Sequence, residues 1–516
     1  MKRHIVNIIP AFIFLVTAAS CYKDLSTPAT ISIPEIEIIN DLEVINVAYG
    51  HYITMEAQVQ EEGRTEDDFS YLWEIDLVHG SVKDRLEIGT EKTLSYQVGN
   101  SPSDKPYTLT LKVTDKVNGL EKMESWPVYV SSSLGEGIIV AHKCNEDGTA
   151  YDVDLLAAKP ITFGYQSDAP LVTRNLYQFA NGRPIDGRIN SMITSVVTDG
   201  AVFNTTRIMI GTDTDLIALN PIDYKEVERN ASLFNSKESF FGTSYLFNFA
   251  DYLTCAFIDG RFFSCICNFD RAYTKVPLPS GKDDIFTKSN VAFSKPDQGR
   301  VLVFSPFDNK FYYATCLSIQ GGMSAIESSS LPYSLTGANA VGGGCLKNMF
   351  LGMILKLADA SYHLVMAELY SLNPTLTDYP LDGIANIDKA VDFAFCDNAN
   401  LFYYCTSDKI YSVTLSGNQV TGRTLSWKPD SEDEKITHIE QYAQNWYGTS
   451  QNSFNNYPFV LDYHRLQLVI VTYNEKTKEG KIYLRPFSTS TGLFTLTDNG
   501  RYEGFGEISA IATTPR

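Results

Sequence analysis

Helical periodicity is missing from almost the whole of this 516-residue chain. Beyond residue 30 the apolar residues come in short runs, alternating or continuous, and Gly, Asn and Asp separate them. Tyr (30) and Phe (29) are abundant, while Trp (4) is scarce. β-branched and aromatic side chains fit a pleated surface, and short runs bounded by turn residues are the pattern of strands. The chain therefore reads as all-β. With 44% hydrophobic and 20% charged residues it is globular. It is too long for one hydrophobic core, so it holds two to four domains, or one large repeat array with an accessory module.

The net charge is −19. Such a surface repels phosphate backbones and anionic lipid headgroups, which excludes nucleic acid as a partner.

Lys2, Arg3 and His4 precede the apolar run Ile5 to Val16, and Ala18-Ala19-Ser20 lead into Cys21. Basic start, apolar stretch and small residues make residues 1–20 a secretory signal peptide. The cysteine after the small residues resembles a bacterial lipobox, which implies lipidation of Cys21 and an anchor in the outer membrane. An ordinary cleaved signal peptide is the alternative. Lys23 and Asp24 follow, and Tyr22-Lys23-Asp24 resembles the surface-export signal of lipoproteins in gut-dwelling Gram-negative anaerobes. That resemblance implies a protein facing the extracellular side. Residues 21–30 form a short polar tether.

Residues 31–132 carry six or seven short alternating strands, the size and pattern of an immunoglobulin-like β-sandwich. Tyr71-Leu72-Trp73-Glu74-Ile75 sets Trp73 where such folds bury a central Trp. Tyr107-Thr108-Leu109-Thr110-Leu111-Lys112-Val113-Thr114-Asp115 alternates strictly and ends at an acidic turn. These two segments resemble the PKD family, with Tyr-x-Trp on one strand and Tyr-x-x-x-Leu-x-Val-x-Asp on a later one. Asp76-Leu77-Val78-His79-Gly80 stands where that family has Gly-Asp-Gly. The closer resemblance is therefore to PKD-like lipoproteins of outer-membrane, starch-utilisation-type nutrient-uptake loci.

Residues 136–516 read as a β-propeller. Strand, Thr/Asp turn and strand recur at Arg207–Leu219 and Phe402–Val413, with partial copies from Lys310 and from Asn445. Their spacing is near twice a blade length, which gives seven or eight blades, with seven preferred. Gly137–His142 is the expected first strand, and Gly506–Ala512 is expected to complete the same blade and close the ring. Two or three separate sandwiches are the alternative.

No nucleophile elbow, zinc-protease helix, P-loop or dinucleotide fingerprint is present, so catalytic residues remain unassigned and no cofactor is implied. The hairpin at Asp259-Gly260 sets Cys255 opposite Ser264 and Thr254 opposite Cys265, so the two cysteines face opposite ways. Cys265-Ile266-Cys267 lacks further ligands at metal spacing, and His142, His363, His438 and His464 sit at none, so no metal site is assigned. Those histidines read as structural or solvent-facing. Asp213 and Asp215 read as turn residues that cap backbone donors. Trp427, Trp446 and Tyr447, beside acidic and amide-rich loops, are the candidate ligand-binding aromatics, with blade packing as the competing role.

These features point to a surface-exposed, non-enzymatic lipoprotein that captures a glycan or peptide nutrient beside an outer-membrane transporter. A propeller-based polysaccharide lyase or glycoside hydrolase, and a scaffold for a transporter complex, are the alternatives.

Overall fold

The computed structural model describes residues 35–514 except 40–41, 43, 49–50, 78–83, 101–104, 132–135, 145–148, 163–164, 166, 200–201, 235–241, 251–252, 267–271, 278–285, 295–298, 317, 348–349, 370–373, 445–460 and 498. Of the described residues, 57% are strand and 5% helix. It divides into two compact units, one ending at Val130 and one resuming at Ser131.

The first unit is the immunoglobulin-like, PKD-like sandwich. Its five-stranded sheet has the order Ile45–Ala48, Glu121–Ser131, Tyr107–Asp115, Phe69–Asp76, Arg85–Gly89. Glu37–Ile39 pairs with Gln58–Gln60, and Tyr52–Glu56 with Thr93–Gln97. Alternation with a period of two sends Trp73, Ile75, Leu109, Leu111 and Val113 inward, and all five are buried. Trp73 pairs in register with Leu111, its ring lies 6.2 Å from that of Trp126, and its indole N–H donates to the Glu91 carbonyl at 3.0 Å. At the end of the alternating strand, Asp115 accepts from the Val117 amide (2.6 Å) and from Arg64 Nε (2.7 Å). This is the acidic turn read from the sequence.

The second unit is a propeller. Its described residues form seven consecutive sheets, each a meander of four antiparallel strands or close to it. Counted outward from the centre, sheet 2 is Ile189–Asp199, Val202–Thr212, Leu216–Leu219 and Glu226–Arg229. Sheets 3 to 7 begin with the innermost strands Thr243–Ala250, Val291–Phe293, Asn339–Leu346, Asp392–Cys396 and Glu434–Gln441. Sheet 1 is built differently. Gly137–Lys143, Ala150–Ala157 and Leu171–Thr173 are its second to fourth strands, and its innermost strand is the C-terminal Ile508–Thr514, paired antiparallel with Gly137–Lys143. The two ends of the unit thus close one sheet.

Each sheet is covered on both faces, which explains the continuous apolar runs. In Leu401–Cys405 every residue is buried. Leu401, Tyr403 and Cys405 pack toward sheet 7, and Phe402 and Tyr404 toward sheet 5. Every successive pair of sheets shares such a cluster, and so do sheet 7 and sheet 1. A closed ring of this kind replaces the alternative of separate sandwiches.

The two best repeat copies are in phase. Thr212 ends the second strand of sheet 2, and its hydroxyl accepts from the Asp215 amide at 2.9 Å. Thr406 follows the second strand of sheet 6, and its hydroxyl accepts from the Lys409 amide at 3.2 Å. The third copy is a correction. Lys310–Thr315 is the third strand of its sheet, because both middle strands are buried on both faces and so look alike in sequence. The copy from Asn445 lies outside the described residues.

Sheet 5 meets its neighbours through glycine. A Cβ on Gly343 would stand 2.6 Å from the Val291 carbonyl oxygen of sheet 4, and one on Gly344 would stand 2.6 Å from Phe395 of sheet 6. Bare backbone is what lets this strand fit between the two.

Candidate functional site

A cavity of about 580 Å³ lies at the centre of the ring. The innermost strands of sheets 1, 2, 3, 4, 6 and 7 contribute to its lining. Several of its charged groups sit at or near the starts of those strands, whereas His438 and Glu440 lie in the second half of Glu434–Gln441. Arg188 precedes Ile189, Asp392 opens its strand, and Glu507 precedes Ile508. Lys288 opens a short 3-10 turn, Lys288–Asn290, that leads into Val291. Thr287 and Asn290 hold that turn, with the Asn290 side chain accepting from the Thr287 amide and hydroxyl at 3.0 Å each.

Four of these groups form a chain. Lys288 Nζ donates to Asp392 Oδ1 at 3.1 Å. Asp392 Oδ2 accepts from the Ile439 amide at 3.1 Å and meets His438 Nδ1 at 2.5 Å. His438 Nε2 lies 3.3 Å from Glu440 Oε2. A break in register between Ile436 and His438 re-aims the strand where His438 turns into the channel, as bulges do. Lys288 belongs to sheet 4 and Asp392 to sheet 6; the glycine strand of sheet 5 lies between them.

The electrostatics follow from this geometry. Burial pushes the Asp392 pKa up, but the charges of Lys288 and His438 outweigh it and hold the carboxyl well below the usual carboxylate range. Burial and Lys288 push His438 down, and Asp392 more than offsets them, so the imidazole pKa is raised. Each His438 ring nitrogen faces a carboxylate, the arrangement that favours imidazolium. It acts here as a fixed donor rather than a free general base. Burial pushes the Tyr245 phenol up to about 12, so it stays a neutral hydroxyl. Its ring stacks on buried Phe247 at 5.8 Å, and Phe247 stacks on Phe293 at 4.9 Å, so the half-buried Tyr245 and Phe293 give the channel an aromatic wall.

A second polar group lies in sheet 1. Asp154 meets His142 Nε2 at 3.0 Å and Arg174 at 2.7 Å, and the Arg174 guanidinium lies 4.6 Å over the Phe505 ring. These contacts tie the first strands to the last. Neighbouring Asp152 accepts from the Val153, Tyr177 and Gln178 amides, and burial still lifts its pKa to about 6.

Of the aromatics singled out from sequence, only Trp427 is among the described residues, and it is not part of the cavity lining. Trp427 is half-buried, edge-on to Tyr483 at 5.1 Å, against the cluster between sheets 6 and 7. Trp446 and Tyr447, and Cys21, Lys23 and Asp24, lie outside the described residues. Asp215 binds Arg229 Nη1 at 2.7 Å, and Asp213 accepts from Asn190 at 2.9 Å. Among the described residues no cluster of His, Cys, Asp and Glu is arranged to hold a metal. The register sets Cys255 opposite Ser264 and Thr254 opposite Cys265, as the hairpin reading had it. His438, expected to be structural or solvent-facing, is held between Asp392 and Glu440 and lines the cavity. Lys288, Asp392 and Glu440 carried no motif at all, because the ring brings them together across more than a hundred residues.

A model of the PKD-like family matches residues 21–188. No curated protein matches the chain. Among solved structures, the chain is similar to a quinonprotein alcohol dehydrogenase-like protein from Bacteroides thetaiotaomicron, at 13% identity, over 93% of this chain and 98% of that one, with a TM-score of 0.45. It is also similar to a putative 6-phosphogluconolactonase from Bacteroides uniformis, at 8% identity over 73% and 99%, TM-score 0.40. Apo AztD from Citrobacter koseri aligns at 11% identity over 86% and 98%, TM-score 0.36. The architecture rests on the sheet register and the shared clusters described above.

Proposed function

We propose that this protein is a surface-tethered binding protein whose propeller channel captures a small polar nutrient, a glycan or a peptide, for an outer-membrane uptake system. The observation that carries the reading is the central cavity, where charged, amide and aromatic side chains from six sheets converge. Pockets of this size, with a few placed polar groups on an apolar wall, are the usual form of a small-ligand site. The signal-like N-terminus with Cys21, and the match to the PKD-like family over residues 21–188, support a lipid-anchored protein held away from its membrane.

Purified full-length protein, screened on glycan and peptide arrays with mass spectrometry of the recovered ligands, tests this. Retention of an unaltered ligand supports capture. Retention of nothing refutes it. One observation favours a second reading, a hydrolase or lyase: two carboxylates and a histidine converge in the channel. Turnover of the ligand in the same screen would decide for that reading.

A further inference from the structure

We infer that the channel ligand is an uncharged sugar, held by its hydroxyls between Lys288 and Glu440 beside the Tyr245 ring stack. This rests on the capture reading above and names its ligand class.

Charge is already balanced within the chain. Both Asp392 oxygens are occupied, Oδ1 by Lys288 and Oδ2 by His438 and the Ile439 amide. His438 is in turn faced by Glu440. Arg188 stands 3.7 Å from Glu507. A fully charged ligand would find no uncompensated charge here and would have to displace an existing partner.

Hydrogen-bonding capacity is left over, and it is of both kinds. Lys288 keeps 47% of its side-chain surface open and spends one of its three N–H donors on Asp392. Glu440 keeps 36% open and meets His438 through one oxygen only, at 3.3 Å. The site therefore offers spare donors at one end of the chain and a spare acceptor at the other. A sugar hydroxyl both donates and accepts, so a polyol satisfies the two ends together without bringing charge. The half-buried Tyr245 and Phe293 rings, backed by the buried Phe247, supply the apolar wall that the C–H face of a sugar ring packs against.

The test is calorimetric titration of the full chain with three probe sets: neutral hexose and pentose oligosaccharides, oligogalacturonates, and di- and tripeptides, each at low and high salt. The expected result is binding of at least one neutral oligosaccharide, with an affinity that changes less than twofold between the two salt conditions, since no net charge is paired. Glu440→Gln and Lys288→Met should each weaken it at least tenfold. Thermal melts check the fold of both variants, and should Lys288→Met fail to fold, the half-exposed Glu440→Gln carries the test alone. Salt-sensitive binding of peptides or oligogalacturonates, lost in Glu440→Gln, would overturn the sugar assignment and leave the capture reading standing. Neutral-sugar binding that ignores both substitutions would overturn the placement. Silence with every probe would overturn both readings.

Discussion

Replacing Gly343 by alanine should destabilise the propeller, although the backbone conformation there suits any residue. Ordinarily a glycine-to-alanine change at a compatible position stabilises by about 0.4–1 kcal/mol, because the unfolded chain loses freedom. Here the new Cβ would lie 2.6 Å from the Val291 carbonyl oxygen and 3.1 Å from its carbon. An unstrained carbon–oxygen contact is about 3.4 Å, so sheets 4 and 5 must separate locally by roughly 0.8 Å. A gap of that size forfeits about a quarter to a half of each dispersion contact across it. Ala292 and Cys345 lie in the cluster that would open. Overpacking a tight interface costs about 1–3 kcal/mol, which exceeds the unfolded-state gain. Gly352→Ala is the matched control. Its nearest atoms are side-chain tips, Leu364 Cδ1 at 3.0 Å and Phe395 Cε1 at 3.2 Å, which can shift, so it should fall within about 1 kcal/mol of the parent. Urea denaturation of the two full-length variants, compared by transition midpoint, decides the matter. A Gly343→Ala protein at least as stable as the parent, or one less damaged than Gly352→Ala, would refute the argument that backbone approach dictates this strand.

Stability should also follow pH through the channel pair. Asp392 has a lowered native pKa, so its contribution is present above its unfolded value of about 4 and is lost as pH falls through the native one. His438 has a raised native pKa, so its contribution is full below about pH 6.5 and is lost as pH rises through the native value. Melting temperatures should therefore peak between about pH 4 and 6.5 as far as this pair is concerned, and Asp392→Asn should flatten both limbs; an unchanged profile would count against the pairing. Deleting residues 508–516 removes the innermost strand of sheet 1 with Ile511 and Ala512, opening the ring and baring the edge of Gly137–Lys143. Calorimetry should show the large cooperative transition lost, and a truncated protein that melts like the parent would show that the ring does not need its closure. Cys21→Ala should abolish incorporation of a metabolic lipid label and release the protein from membranes, because one thiol would carry the acyl anchor; a labelled Ala variant would end the lipoprotein reading.

Strand identity was legible in the sequence wherever a residue's environment follows from its neighbours along the chain. The alternation around Trp73 and along Tyr107–Asp115 set the inward faces of the sandwich, because one face of each strand is buried and the period is two. The Thr212 and Thr406 turns, and the Asp259-Gly260 hairpin with its cysteine register, are likewise local, fixed by side-chain caps and by positive φ at both turn residues. The pairing of Gly137–Lys143 with Ile508–Thr514 was legible because both ends of the unit read as strands that needed one partner each. Position within a sheet was not legible. The second and third strands of a blade are both buried on both faces, so Lys310–Thr315 carries the same apolar run as Leu401–Cys405. The channel was beyond the sequence altogether. Lys288 and Asp392 are ordinary polar residues at strand starts, His438 sits at a bulge and Glu440 two residues beyond it, and only closure of the ring brings Lys288, Asp392 and His438 within hydrogen-bonding distance, where one carboxylate can set the ionisation of two cations.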